Sequence, residues 1–359
     1  MSKKSLKSNP KTAKSKAGIN SKKVWIWLVI LIAISGLIIF IVFPNNFFII
    51  DNSSNQSKSL STVNQLLELS PEQLAKADIA LVNLICAKGL SGSENLNIEL
   101  CLKTLDDWAK KIEADTKARL PQYNHNPSSY DNSPSMFKCV NMILYLKDII
   151  GVDYNIEIME SESFANSSHV FLHGCLSDKK QGGCISLPTL CVAVGRRLGY
   201  PLKLVQTREH CFFRWQDDKE TFNMEICCPG CDTHEDEYYK NWPRKISDEV
   251  VKSNQYLKSL TPQEELALFL ETRGHCLSDH DNKTQALVMF SHAYDLMPKA
   301  AGKLANIEYT LQGEIKKFGY ASPNRRLKHP TNFLPKGLPD LRPPQVTPTR
   351  QRQNNIDIQ

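Results

Sequence analysis

The middle of this chain lacks an excess of basic charge, although the 359 residues carry a net +6. Residues 1–23 hold eight lysines and no acid, and the tail from Pro323 onward holds seven basic residues against two acidic ones. Subtracting +8 and +5 leaves −7 for everything between. A nucleic-acid reader keeps its basic surface on the folded body, so this distribution excludes one.

Charge of either sign is missing from Val24 to Phe43, where only Ser35-Gly36 interrupts an apolar run of twenty residues. That length crosses a hydrocarbon layer as a helix. A small-residue cleavage site is also missing, since the run ends in Phe43-Pro44-Asn45-Asn46. The segment therefore reads as an uncleaved anchor in a lipid bilayer and not as a secretory leader. Lysines crowd its N-terminal side, which predicts a cytosolic N-terminus and a main domain on the exported, periplasmic or extracytoplasmic side.

Cysteine is plentiful, at eleven. With Cys184 set aside for chemistry, ten remain, an even number that predicts disulfides in an exported domain. In a reducing compartment the same residues would be ordinary core side chains. Cys228-Pro-Gly-Cys231 with His234 has three readings: a structural bridge, a redox pair, or part of a zinc site.

With 41% apolar residues the chain can bury a sizeable core. It divides into a basic cytosolic tail (1–23), a transmembrane helix (24–43) and a polar linker (44–69). An N-terminal helical part (70–151), a core (152–260), a further helical segment (261–320) and a Pro/Arg-rich tail with too little apolar surface to fold (321–359) follow. Ser70-Pro71-Glu72-Gln73 is a capping box opening a helix with Leu74, Ala77, Leu81, Leu84 and Ile85 inward. A second helix is predicted from about Ile98 to Ala118, then a loop from Pro121 to Pro134, then a third helix from Met136 to Ile150 closed by Gly151. The region 152–181 is irregular and is expected to border the groove above Cys184. No metal role is assigned to its His169 and His173, and no cofactor is expected.

The centre of the chain is Gly182-Gly183-Cys184-Ile-Ser-Leu-Pro188. Leu187, Leu190, Cys191, Val194 and Leu198 recur at helical intervals, Pro188 suits a first turn, and Gly199 with Pro201 supplies the stop. Cys184 thus falls at the start of a buried helix, where unpaired N–H groups and the dipole favour the thiolate. His210 opens an apolar, aromatic strand. A polar turn follows, and then a strand on which Asn223 and Glu225 share a face. If Asp217-Asp218 form a two-residue loop, His210 opposes Glu225, with Asn223 one pair along. Nucleophile, base and orienting acid or amide then occur in chain order. The competing reading makes Cys184 a buried hydrophobe or half of a disulfide.

The block Gly183-Cys184-Ile-Ser-Leu-Pro, Arg196-Arg197-Leu-Gly-Tyr-Pro201, His210, Phe212-Phe-Arg-Trp215 and Phe222-Asn-Met-Glu225 resembles the transglutaminase-like branch of the papain-type cysteine enzymes. With Asp236-Glu-Tyr-Tyr239 and Trp242-Pro243 it is similar to the SirB-type regulator family. The resemblance covers roughly residues 65 to 300. It implies an α+β fold: a helix start carrying the cysteine, packed on an antiparallel sheet and flanked by helices. It also implies catalytic Cys184, His210 and Glu225 or Asn223, and a protein or peptide as substrate or partner. Thr261-Pro-Gln-Glu264 and then Leu270, Gly274, Leu277, Ala286, Phe290, Ala293 and Pro298 recur at the spacing of one tetratricopeptide unit. The function implied is acyl transfer through a Cys184 thioester, ending in amide or peptide hydrolysis or in a crosslink. Relatives with asparagine in the cysteine's place supply the alternative, a silent fold that binds or regulates a partner.

Overall fold

The computed structural model describes residues 60–317 apart from 159–162 and 228–231. The basic leader, the apolar run 24–43, most of the linker, Cys228, Cys231 and the C-terminal tail lie outside the described residues. Among the described residues no helix is long and apolar enough to cross a membrane.

The fold mixes helices with a small antiparallel sheet. The described residues start inside the stretch expected to be linker. Helix α1, Val63–Leu67, opens on a Thr62/Gln65 capping box and buries Leu66 completely. Helix α2 is Pro71–Lys76, capped by Ser70 and Gln73 as expected. The predicted single helix breaks at Ala77, whose ψ of 142° is extended. Asp78 then accepts from the Ala80 N–H and starts α3, Ile79–Ala87. An apolar stripe does not register such a break, because a new cap needs only one acid at the right place. Every residue of α3 is buried, so it is the central rod on which the other helices pack.

Helix α4 is longer than expected, Ile98–His125, and runs through Pro121. A proline inside a helix removes one backbone hydrogen bond and costs about 3 kcal/mol in isolation. Here the last turn continues past it and buries Tyr123, whose ring lies 5.0 Å from that of Phe137. The predicted loop therefore shrinks to a short 3₁₀ turn, Pro127–Tyr130, before α5, Pro134–Leu144. Helix α5 widens into one π-helical stretch, Tyr145–Ile150, closed by Gly151 at φ 84°.

Two short parallel strands follow, β1 (Asp153–Tyr154) and β2 (Gln181–Gly182), with the one-turn helix α6 (Leu172–Cys175) between them. Helix α7, Ser186–Arg197, is buried along its first ten residues. The three-stranded sheet comes next: β3 (Leu202–Thr207), β4 (His210–Gln216) and β5 (Thr221–Met224), antiparallel in that order. One face of β4, through Cys211, Phe213 and Trp215, joins the main core with α3 and α7. The other face, through Phe212, meets Val205, Tyr239 and Leu257 in a second cluster.

The Arg196-Arg197 pair at the end of α7 ties these layers together. Arg197 bonds both Asp78, the cap of α3, and Asp106 on α4, while Arg196 pairs with buried Glu265. After α8 (Asp236–Asn241) and α9 (Asp248–Asn254), the chain ends in three packed helices, α10 (Pro262–Asp279), α11 (Lys283–Leu296) and α12 (Ala301–Lys317). Gly274 lets α10 and α11 approach: a Cβ there would lie 2.5 Å from the Phe290 ring.

Among the described residues, five of the cysteines expected in disulfides are unpaired. Cys86, Cys101, Cys175, Cys211 and Cys276 are free thiols, and all but Cys101 are buried. They fill apolar positions of the core, the alternative left open by composition. Burial raises Cys86, Cys175 and Cys276 to about 12 and Cys101 to about 11.

Candidate active site

Cys184 sits two residues before α7 and is half-buried, with a free thiol. The two glycines before it are required by crowding. A Cβ at Gly182 would lie 2.4 Å from the Cys175 sulfur, and one at Gly183 would lie 2.8 Å from Ile158. Buried Ser186 locks this turn: its Oγ accepts from the Gly183 N–H at 2.9 Å. No side chain caps α7 at Ile185. The positive end of the helix therefore faces the site uncovered.

His210 arrives from the sheet. It pairs with Thr207 across a two-residue turn, Arg208-Glu209, in which Glu209 adopts a left-handed φ of 63°. That tight turn brings the Glu209 carbonyl to 3.9 Å from the Cys184 sulfur. It also brings the His210 ring close enough to Cys184 for the sulfur to act on the ring's protonation. The other side of the ring is fixed, because Nε2 donates to Glu225 Oε2 at 2.7 Å. This leaves Nδ1 for the sulfur.

Glu225 is fully buried, yet both of its oxygens are used. Oε1 accepts from the backbone N–H groups of Ile226 and Cys227 at 2.9 and 2.8 Å. Burial favours the neutral acid, but His210 and the Cys227 N–H outweigh it and hold the carboxyl below its usual range. Burial likewise pushes the imidazole down, and Glu225 and Cys184 together reverse this and raise His210 to about 10. An imidazole held by a carboxylate on one side is kept protonated and has its other ring nitrogen free to give a proton.

The register differs from the expected one. Gln216 pairs with Thr221 and Arg214 with Asn223, so the loop is the four residues 217–220. Asp217 accounts for the longer loop, since its Oδ1 accepts from the Lys219 and Glu220 N–H groups. The slip is two residues, an even number, so it preserves the face of each side chain. Glu225 becomes a diagonal neighbour of His210 and still reaches it.

Asn223 is placed elsewhere. Its Oδ1 accepts from Arg214 Nε at 2.7 Å, and its Nδ2 donates to the His234 carbonyl and to Asp236. Asp236 also receives Arg214 Nη2 at 2.6 Å. Sequence reasoning missed Arg214, whose signal was a lone cation in the apolar run of β4. Together these groups anchor α8, which with Trp242 just after it carries the aromatic cover of the site. Tyr239 stacks on Phe212 at 3.7 Å, and the Trp242 ring meets His210 edge-on at 4.6 Å. These rings keep water off the imidazole.

His169 and His173 do not converge. His169 is bonded to Asn166 Nδ2 and lies 3.8 Å from Glu157, whereas His173 is buried against Ser167 and the Gly92 carbonyl. The 3₁₀ turn carrying His169 backs the glycine turn: its carbonyl lies 3.0 Å from the place of a Gly183 Cβ.

The model of the transglutaminase-like superfamily matches residues 99–270. That span holds Cys184, His210 and Glu225 and runs into α10, and it is similar to the transglutaminase-like superfamily over a little under half of the chain. No curated protein and no solved structure matches the chain.

Proposed function

We propose that the protein is a membrane-anchored cysteine acyl-transfer enzyme, of the SirB type within the transglutaminase-like class, acting on an amide of a protein or peptide. The supporting observation is the continuous chain from Cys184 through His210 to Glu225. Cys184 thiolate adds to the amide carbonyl carbon, and the backbone N–H of Cys184 at the uncapped helix start holds the oxyanion. His210 gives its proton to the leaving amine as the C–N bond breaks, which leaves a thioester. Water then attacks the thioester, His210 takes the water's proton, and the acid departs from the restored thiolate. Glu225 holds the ring and its charge throughout. Hydrolysis is preferred over crosslinking because no dedicated amine site accompanies the three residues.

Residues 24–43 are the anchor and place the domain on the exported side, and α10 with α11 act as one tetratricopeptide-like unit packed on the domain. The proposal is tested by alkylation with limiting iodoacetamide at pH 7, followed by peptide mapping. Cys184 should label at least tenfold faster than Cys101, and Cys184→Ala should abolish peptide turnover without lowering the thermal midpoint. Uniform slow labelling, or turnover that survives Cys184→Ala, would falsify the reading.

A further inference from the structure

Beside His210 the strap after α8 leaves one buried donor without an acceptor. Trp242 Nε1 is sealed from solvent with no acceptor, and its ring rests edge-on against His210. Arg244 Nε is also sealed from solvent, and it is ion-paired to Glu209 Oε2 at 2.7 Å. Indole and guanidinium nitrogens only donate, and a buried donor without an acceptor costs about 1–3 kcal/mol. An orphaned indole donor against the His210 ring, two residues before a guanidinium ion-paired to Glu209, matches a ligand that supplies acceptor oxygens.

Charge at the same place indicates which oxygens. Glu209 forms ion pairs with Arg244 and, at 3.6 Å, with Arg208, so two guanidiniums share one carboxylate. The Glu209 side chain is 45% exposed, whereas Arg208 and Arg244 are 18% and 23% exposed. The cations are built into the wall and the anion is the loose member. Its backbone carbonyl stands 3.9 Å from the Cys184 sulfur, so the residue that carries the carboxylate borders the nucleophile.

We propose that Arg244, Arg208 and Trp242 form a subsite for a substrate carboxylate, and that Glu209 occupies it until an acidic residue of the substrate takes its place. The preferred substrate is then a peptide with Asp or Glu beside the amide that Cys184 attacks, a preference that rests on the reading of Cys184 as nucleophile. Guanidinium binds carboxylate in a planar, two-bond geometry that a neutral amide cannot match.

The test uses full-length Cys184→Ala protein, so that binding is measured without turnover. Two blocked tetrapeptides are titrated calorimetrically, acetyl-Ala-Ala-Glu-Ala-amide and its glutamine twin. The acidic peptide should bind about tenfold more tightly, as one net charge-assisted contact implies. Adding Arg244→Gln should erase that difference. Adding Glu209→Gln should tighten the acidic peptide several-fold, a gain that a folding defect cannot produce. In the wild type, saturating acidic peptide should slow Cys184 alkylation. Equal binding of the twins, no binding of either, or no gain from Glu209→Gln would overturn the subsite. The Cys184 labelling rate without peptide reports on the nucleophile alone, so the two readings can fail separately.

Discussion

At the residue scale, the site depends on a carboxylate that cannot move. Three donors hold Glu225, and its charge is what lets a buried imidazole stay protonated. Replacing it by glutamine removes the countercharge but leaves the burial. In Glu225→Gln the His210 pKa should fall below 6.5, and Cys184 alkylation at pH 7 should slow by about 10²-fold, within the range of general acid–base effects. The same shift has a stability consequence. The folded value of about 10 exceeds the ordinary imidazole value of 6.5, so the folded state binds the proton more tightly. The stabilisation is complete below pH 6.5, declines above it, and is gone once pH passes about 10. Titrating the thermal midpoint from pH 6 to 10.5 should show this decline, and the decline should be missing in His210→Gln. Cys184, His210 and Glu225 were legible in the sequence because helix-start and strand patterns place side chains on faces. Their exact partners were not, because Asn223 and Glu225 share a face and only the cation at Arg214 decides which of them is occupied elsewhere.

At the scale of elements, the sheet register shows why a sequence reading can misplace a loop and still find the site. Asp217 builds a four-residue turn where two residues were expected, and the resulting two-residue slip leaves every side chain on its face. A slip of one would have turned Glu225 away from His210. The break at Ala77 and the passage of α4 through Pro121 were illegible for a different reason: capping by Asp78 and burial of Tyr123 override local propensity. Arg196-Arg197 belongs to the packing of elements more than to the chemistry. Arg197→Ala would strip the Asp78 cap and Asp106 of their partner, and should destabilise the protein by about 1–2 kcal/mol, as expected for partly exposed pairs together with lost packing of the Arg197 stem. Urea unfolding measures it, with Cys184 labelling in the native state unchanged. Gly274→Val should be as damaging, since its side chain must enter the Phe290 ring.

At the scale of the molecule, the described residues present a helical body built around α3 and α7, with a short sheet that delivers the base and the acid to the helix start bearing the sulfur. Among the described residues the buried thiols of Cys86, Cys175, Cys211 and Cys276 contribute to stability by packing. They also sharpen the chemistry, since burial raises Cys86, Cys175 and Cys276 to about 12 while Cys184 faces an imidazolium. The proposed chemistry follows from that imidazolium lying between sulfur and carboxylate. A titration of the His210 ring nitrogens by ¹⁵N NMR measures it directly. The ring should remain doubly protonated through pH 8 and lose its proton near 10, whereas a ring that is neutral at pH 7 would contradict the pairing on which the mechanism is built.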